Sequence, residues 1–506
     1  MKIKRLVLLL LLVPICCIGA QKSAGVRQPS VAGQFYPSDP AQLKLAIQQF
    51  LEDAPTIKAD PAIAIVVPHA GYLYSGQIAA DAYRQVKGYV YDTIVILGTN
   101  HVSENLSGIS LYASGAYKTP LGEVPVDVSI ADALLKENPD CRADSSAQQR
   151  EHSIEVQVPF IQVLFPSAKI VPAMIGSADP AMCARFGSAL GKVLKGKRAL
   201  IVASSDLSHY PGHEDATAVD RQTLEAMVRL DAAQFASQTA STISRNVSHL
   251  STCACGQGPI LAAMAAAKAL GATRGIVVSY ANSGDVVAED RSRVVGYGSV
   301  VFAPGEGGPD TKALASPPGP LPSGPLRVED RKALLKFARQ SLQRFLTTET
   351  VPLARNLSAR LQYPQGVFVT LKNHGELRGC IGHLTGDFPV GLTTGWMAVQ
   401  AGENDPRFSP VSAKELAGLE IEISVMTPLK PIAKATDIVL GRDGVVIQKA
   451  GRSAVFLPQV APEQGWNLNE MLDNLCLKAG LPRDAWKSGA QFLVFQADVF
   501  SESEYR

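Results

Sequence analysis

Between residues 62 and 67 the chain reads Ala-Ile-Ala-Ile-Val-Val, an unbroken apolar run that stops at Pro68. Residues 92–98 (DTIVILG) and 199–203 (ALIVA) repeat the pattern. Short runs without polar alternation describe strands buried on both faces. Apolar residues at helical spacing predict helices over 41–53, 78–87, 216–230 and 259–270, the last rich in alanine. Strands alternating with helices predict an α/β domain whose sheet is largely parallel or mixed.

After residue 325 the pattern changes. Residues 366–371 (GVFVTL) and 377–382 (LRGCIG) flank the polar stretch Lys372–Glu376, which is a hairpin signal. Residues 419–425 (LEIEISV) alternate strictly, as a half-buried strand does. Helices are predicted over 329–346 and 468–479, so this half reads as α+β. Between the halves, residues 304–325 are more than half Pro or Gly and show no apolar periodicity. An extended linker is expected there, separating a domain at 25–303 from one at 326–506. Neither half shows an internal repeat.

The first 20 residues pair a basic start, Met1-Lys2-Ile3-Lys4-Arg5, with an apolar run to Ile18 and a small-residue end. This is the pattern of a secretory signal peptide. It predicts an exported protein, periplasmic or extracellular, with an uncleaved membrane anchor as the alternative. No run reaches the roughly 18–20 apolar residues of a stable membrane span. Beyond the leader six cysteines remain, Cys141, Cys183, Cys253, Cys255, Cys380 and Cys476, too few for a disulfide scaffold.

Composition narrows the function classes. With 46% hydrophobic residues the chain can build cores, and 48 Lys+Arg against 46 Asp+Glu give a net charge of only +2. A polyanion-gripping protein shows a basic excess or stripe, so no nucleic-acid partner is expected. No Gly-rich phosphate loop follows a strand, which argues against phosphate or dinucleotide chemistry.

Each predicted strand in the first half ends in reactive residues: Pro68-His69, Thr99-Asn100-His101, and Ser204-Ser205-Asp206-Leu207-Ser208-His209. Ligands of open α/β sheets bind at such carboxyl ends, so these histidines are candidates for one pocket. His152 and Glu155 stand one turn apart if helical, in a stretch that equally suits a solvated helix start. Cys253 and Cys255 precede the helix predicted from 259. A thiol there is either a small buried apolar group or a thiolate of depressed pKa.

The ordered motifs PHAGYLYSG, LGTNH, EHSIEVQVPF, SSDLSH and CGQGPI resemble the Memo family over residues 25–303. That resemblance implies a fold similar to class III extradiol dioxygenases, an α/β sheet with flanking helices. In those enzymes two histidines and a glutamate hold Fe(II); in Memo proteins a cysteine replaces the glutamate. Carried onto this chain, the metal ligands are His69, His101 and Cys255. His209 matches the pocket acid/base, with Asp206 beside it, and His152 and Glu155 match a pocket-lining motif. A thiolate favours Fe(II), Cu or Zn over hard cations, with Fe(II) the first expectation. It is also oxidisable, so ring-cleaving dioxygenase chemistry does not transfer automatically.

LRGCIG, DPRF, AVFLPQVAPEQGW and LCLKAGL resemble the AMMECR family over residues 326–506. The candidate residues there are Arg378 and Cys380, with Glu403 and Asp405 as neighbours, although Gly379 and Gly382 suit a tight turn and Cys380 suits a core. The two families co-occur with a radical-SAM protein in the bacterial AmmeMemoRadiSam systems, whose B and A components this chain resembles in fused form. A radical-SAM pathway partner is therefore an expectation. Four readings stay open. The first is a dioxygenase-like, metal-dependent oxidoreductase acting on an unknown small molecule. The others are a module that holds iron or copper without turnover, a metal-free thiol enzyme using Cys253 or Cys255 with His209, and an interaction scaffold.

Overall fold

The computed structural model describes residues 25–57, 61–314 and 324–505. The proposed leader lies outside these residues. No helix among the described residues is long and apolar enough to cross a membrane.

The N-terminal half is built on an eight-stranded sheet. Its order is Arg274–Asn282, Gly296–Ala303, Ala64–Val67, Ala199–Ser204, Thr93–Thr99, Lys169–Ile175, Ile109–Leu111 and Cys141–Ala143. The four strands from Ala64–Val67 to Lys169–Ile175 run parallel, and the other pairs are antiparallel except that Ile109–Leu111 pairs parallel with Cys141–Ala143. The unbroken apolar runs are explained by the two cores they serve. Ala64, Val66, Val95, Leu97, Ile201 and Ala203 face one side, against helices that include Pro180–Leu194 and Gln257–Ala269. Ile65, Val67, Ile94, Ile96, Leu200 and Val202 face the other, against Pro40–Asp53 and Tyr72–Val86. Successive side chains of a strand point to opposite faces, so both sets must be apolar.

The C-terminal half is α+β but holds two sheets. One has the order Glu376–His383, Val367–Asn373, Leu419–Met426, Ala497–Ser501, and shares a core with helices Val328–Thr348 and Val390–Glu403. The other orders Lys430–Ile432, Gln491–Phe495, Gly444–Lys449 and Arg452–Phe456 and carries its own core with Leu468–Lys478. The hairpin turns on His374 (φ 51°) and Gly375 (φ 83°). Two left-handed residues match the twist of the flanking strands.

The segment expected to be an extended linker is docked over its first part. Val277 N–H donates to Asp310 O at 2.8 Å, Asp310 N–H donates to Gly275 O at 3.0 Å, and Leu314 is buried. The halves also touch. Arg355 forks onto the buried Asp81 at 2.5 and 3.0 Å, and Arg344 pairs with Asp53 at 2.7 Å.

Candidate metal centre

Strands Ala64–Val67, Ala199–Ser204 and Thr93–Thr99 are adjacent and parallel. Their carboxyl ends therefore coincide, and the loops leaving them carry His69, Asp206 with His209, and His101. Cys255 lies in the loop that leads into helix Gln257–Ala269, one residue before its N-cap Gly256. Its approach depends on Gly256: a Cβ there would lie 2.5 Å from both Ser204 O and Ser205 Cβ. Thr99 Oγ1 donates to Cys255 O at 3.0 Å and pins the loop to the strand end.

One ligand atom each from His69, His101 and Cys255 lie within 4.8 Å of one another. Cys255 Sγ sits 3.1 Å from His69 Nε2. Metal bonds of about 2.3 Å to sulfur and 2.1 Å to nitrogen would place such atoms roughly 3.1 Å apart at a right angle. The donor spacing thus fits one divalent ion.

Hydrogen bonding assigns the protons. Ser204 Oγ donates its one hydrogen to Ser153 O at 2.6 Å. It must therefore accept from both other neighbours, Gln157 Nε2 at 3.0 Å and His69 Nδ1 at 3.1 Å. Nδ1 of His69 carries the hydrogen, and burial, with His101 and His152 nearby, holds this imidazole well below its usual pKa and hence neutral. Its Nε2 lone pair faces Cys255. His101 is set the same way, its Nδ1 donating to Glu151 Oε1 at 2.9 Å. Burial opposes the charge on Glu151, but the hydrogen bond from the His101 ring and the backbone donors of Ser153 and His101 hold its pKa at about 2. A ligating histidine whose second nitrogen donates to a fixed acceptor is the arrangement that orients metal-binding imidazoles.

Burial, with Asp206 beside it, pushes the Cys255 thiol well above its usual range. Cys253 rises to about 11, chiefly by burial, and its thiol contacts Thr239 O rather than the cluster. The depressed thiolate pKa allowed by the sequence is therefore absent at both positions, because desolvation outweighs the helix start. Asp206 accepts from His69 N–H at 2.7 Å and Ala70 N–H at 3.2 Å, and burial raises its pKa. Two further ligand-spaced groups are His101, Glu151 and His152, and Asp206, His209 and Cys255. His209 Nε2 is buried without a hydrogen-bond partner among the described residues, and burial lowers its pKa. His152 stacks on His101 with ring centroids 4.6 Å apart.

Glu155 does not reach the pocket. Although helix His152–Glu155 exists, the carboxylate is ion-paired with the buried Arg27 and accepts from Ser30 N–H, Val31 N–H and Tyr36 Oη. Its role is to fasten the N-terminal segment, since a buried carboxylate requires such partners. Glu151 and Gln157 are residues to which the sequence reading gave no role, and Ser204 entered it only as part of a strand-end run. Glu151 stands next to His152 in a motif already singled out, which was the available signal.

In the C-terminal half, Arg378 is pinned by Glu415 at 3.0 Å and Ser409 O at 2.9 Å. Cys380 is part-buried; its thiol accepts from Thr370 Oγ1 at 3.3 Å and its N–H donates to Asp405, which Arg407 caps. Glu403 ends helix Val390–Glu403.

The family described as "Memo-like protein" matches residues 27–301, and the family described as "AMMECR1" matches residues 335–500. A "MEMO1 family protein" of Aquifex aeolicus is 38% identical over 278 residues, covering 55% of this chain and 99% of its own. One of Sulfolobus acidocaldarius is 39% identical over 294 residues, covering 55% and 99%. Among solved structures, "Uncharacterized Protein PH0010" of Pyrococcus horikoshii is 34% identical, with a TM-score of 0.34, covering 35% of this chain and 93% of that one. The expectation of export or a membrane anchor is corrected here. It rested on residues 1–20 alone, which lie outside the described structure. No helix among the described residues is long and apolar enough to cross a membrane, and about half of this chain spans these relatives almost end to end. The family match and the relatives agree, and the chain belongs to the Memo-like family, with an AMMECR1 domain following in the same polypeptide.

Proposed function

We propose that the Memo-like domain is a metal-dependent enzyme of oxidoreductase type acting on a small molecule, with His69, His101 and Cys255 as ligands. The observation that carries this reading is proton placement: two imidazoles have Nδ1 committed to Ser204 and Glu151, leaving both Nε2 atoms for one ion beside Cys255. The N,N,S donor set suits a borderline or soft ion, Fe(II) first, with Cu or Zn as alternatives. When bound, such an ion supplies a Lewis-acidic or redox centre with positions open to substrate.

The chain's own groups do the rest. His209, whose pKa burial lowers and whose Nε2 has no hydrogen-bond partner among the described residues, is placed to accept and return a proton. Asp206 holds the His69 backbone in place. His152, between Phe35 and His101, closes one side of the centre. A metal-free thiol mechanism is disfavoured, because the protonated Cys255 thiol is a poor nucleophile.

The test is the metal content of anaerobically purified protein, beside His69→Ala and Cys255→Ala. About one equivalent of iron, copper or zinc, lost in both variants, is expected. No metal in the parent after anaerobic reconstitution would overturn the proposal and return attention to Cys255 as a thiol. Stoichiometric metal with no substrate-dependent oxygen uptake in a compound screen would favour a module that holds metal without turnover.

A further inference from the structure

Residues 283–295 of the N-terminal domain have neighbours on two sides. On the first, Tyr210 N–H donates to Val294 O at 2.8 Å, His213 N–H donates to Arg291 O at 2.9 Å, and His209 pairs with Val295 as an antiparallel bridge. Arg293 lies over the Tyr210 ring at 5.0 Å, and that ring meets His209 at 5.5 Å. Tyr210 has φ 75°, a left-handed conformation that a bulky residue keeps only where its surroundings impose it.

On the second side the segment enters the core of the other domain. Val286, Val287 and Ala288 are buried in one apolar cluster with Leu334, Val369 and Trp396. His383 Nε2 donates to Ala288 O at 3.1 Å, and Arg291 stacks over Phe388 at 5.2 Å. His383 ends the strand that carries the RGCIG motif.

Against the segment lies a cavity of about 300 Å³, lined by Tyr74, Ser283, Val287, Glu289, Arg293 and Tyr297 among others, all from the N-terminal domain. Tyr74, Tyr297 and Val295 pack in one cluster with Ala70, the neighbour of His69. Tyr297 is only 3% exposed.

We infer that the AMMECR1 domain completes the Memo-like active centre: it holds residues 283–295 in place as the backbone partner of His209. Calling this centre active rests on the metal-enzyme reading; the mechanical coupling does not. The segment has no helix longer than one turn, so its shape depends on what lies on either side. The apolar side belongs to the C-terminal domain, and the polar side sets where the His209 ring stands.

The test is hydrogen–deuterium exchange on the full chain, comparing wild type with the double variant His383→Ala, Phe388→Ala. Amides in 207–213 and 283–295 are expected to exchange at least ~10-fold faster, while strands Ala199–Ser204 and Val367–Asn373 keep wild-type rates. His383→Gln, which retains a donor for Ala288 O, is expected to restore most of the protection in 207–213. Faster exchange in 283–295 with 207–213 unchanged would overturn the inference. Should Val367–Asn373 also exchange faster, the conservative Phe388→Leu replaces the double variant under the same criterion. Co(II) binding is measured in parallel. A wild type that binds none overturns the metal reading, and the exchange result still decides the coupling.

Discussion

Ser204 Oγ holds His69 Nδ1 at 3.1 Å, and this contact decides which nitrogen of the imidazole meets Cys255. Glu151 does the same for His101. Outer partners of this kind set ligand basicity and ring orientation. Ser204→Ala and Glu151→Gln are each expected to weaken Co(II) affinity by about 10–100-fold while leaving the far-ultraviolet circular dichroism unchanged. Affinity within twofold of wild type in both would show that these contacts are incidental.

Cys255 is held as a neutral thiol by burial and by Asp206. In metal-free protein at pH 7.5 its carbamidomethylation by iodoacetamide is expected to be slower than that of a small-molecule thiol, as peptide mass spectrometry would quantify. Rapid, selective labelling of Cys255 would instead support thiol catalysis.

Asp220 is fully buried, and desolvation raises its pKa to about 7 despite hydrogen bonds from Ser208 N–H, Ser208 Oγ and Tyr280 Oη. In the unfolded chain the group titrates near the ordinary carboxylate value. Between about pH 4 and pH 7 the folded state therefore binds a proton that the unfolded state does not, so stability falls as pH rises through that window. The contribution is of the order of a few kcal/mol. Urea titrations at pH 5 and pH 8 are expected to show a loss for wild type that is smaller in Asp220→Asn. Parallel pH dependence in the two proteins would exclude Asp220 as the source.

Gly256→Ala places a methyl group 2.5 Å from Ser204 O and Ser205 Cβ. The start of helix Gln257–Ala269 must move away from the strand end, at a cost of roughly 1–3 kcal/mol. Cys255 moves with it, so metal stoichiometry is expected to fall more than the melting temperature alone implies. Full metal occupancy in a folded Gly256→Ala protein would contradict the close approach.

Arg355→Ala leaves the buried Asp81 with Gln77 as its remaining hydrogen-bond donor. The expected loss is roughly 2–4 kcal/mol, moderated because Arg355 is partly in water. Differential scanning calorimetry of Arg355→Ala and of the double variant with Asp81→Asn would show partial recovery in the second, since no carboxylate is then stranded.

Much of the architecture was legible one residue at a time. The unbroken runs at 62–67, 92–98 and 199–203 mark strands at Ala64–Val67, Thr93–Thr99 and Ala199–Ser204, because a strand covered on both faces has no polar position to show. The hairpin of the second half announced itself through the polar turn between apolar runs. The helix expected at 78–87 begins earlier, at Tyr72, because its first turn carries the tyrosines and small residues of the PHAGYLYSG motif instead of a regular apolar stripe. In the second sheet of the C-terminal half, the pairings of Gln491–Phe495 with Lys430–Ile432 and Gly444–Lys449 were not legible because they join strands far apart in sequence, whereas the hairpin Gly444–Lys449 with Arg452–Phe456 turns locally on Ala450 and Gly451 and was passed over.

The sequence alone determined which chemical groups are available, and their motif order identified the candidates His69, His101, Cys255 and His209. Local pattern reports periodicity and residue type, both of which are properties of neighbouring positions. Only the tertiary structure decided how those groups are used. It paired Glu155 with Arg27 instead of the pocket, gave Glu151 and Ser204 the task of orienting the imidazoles, and buried Cys255, which raises its thiol pKa in the metal-free protein. It also set the AMMECR1 domain against the segment that backs His209. Each of these depends on desolvation or on a contact between residues far apart in the chain, and neither quantity exists before the chain is folded.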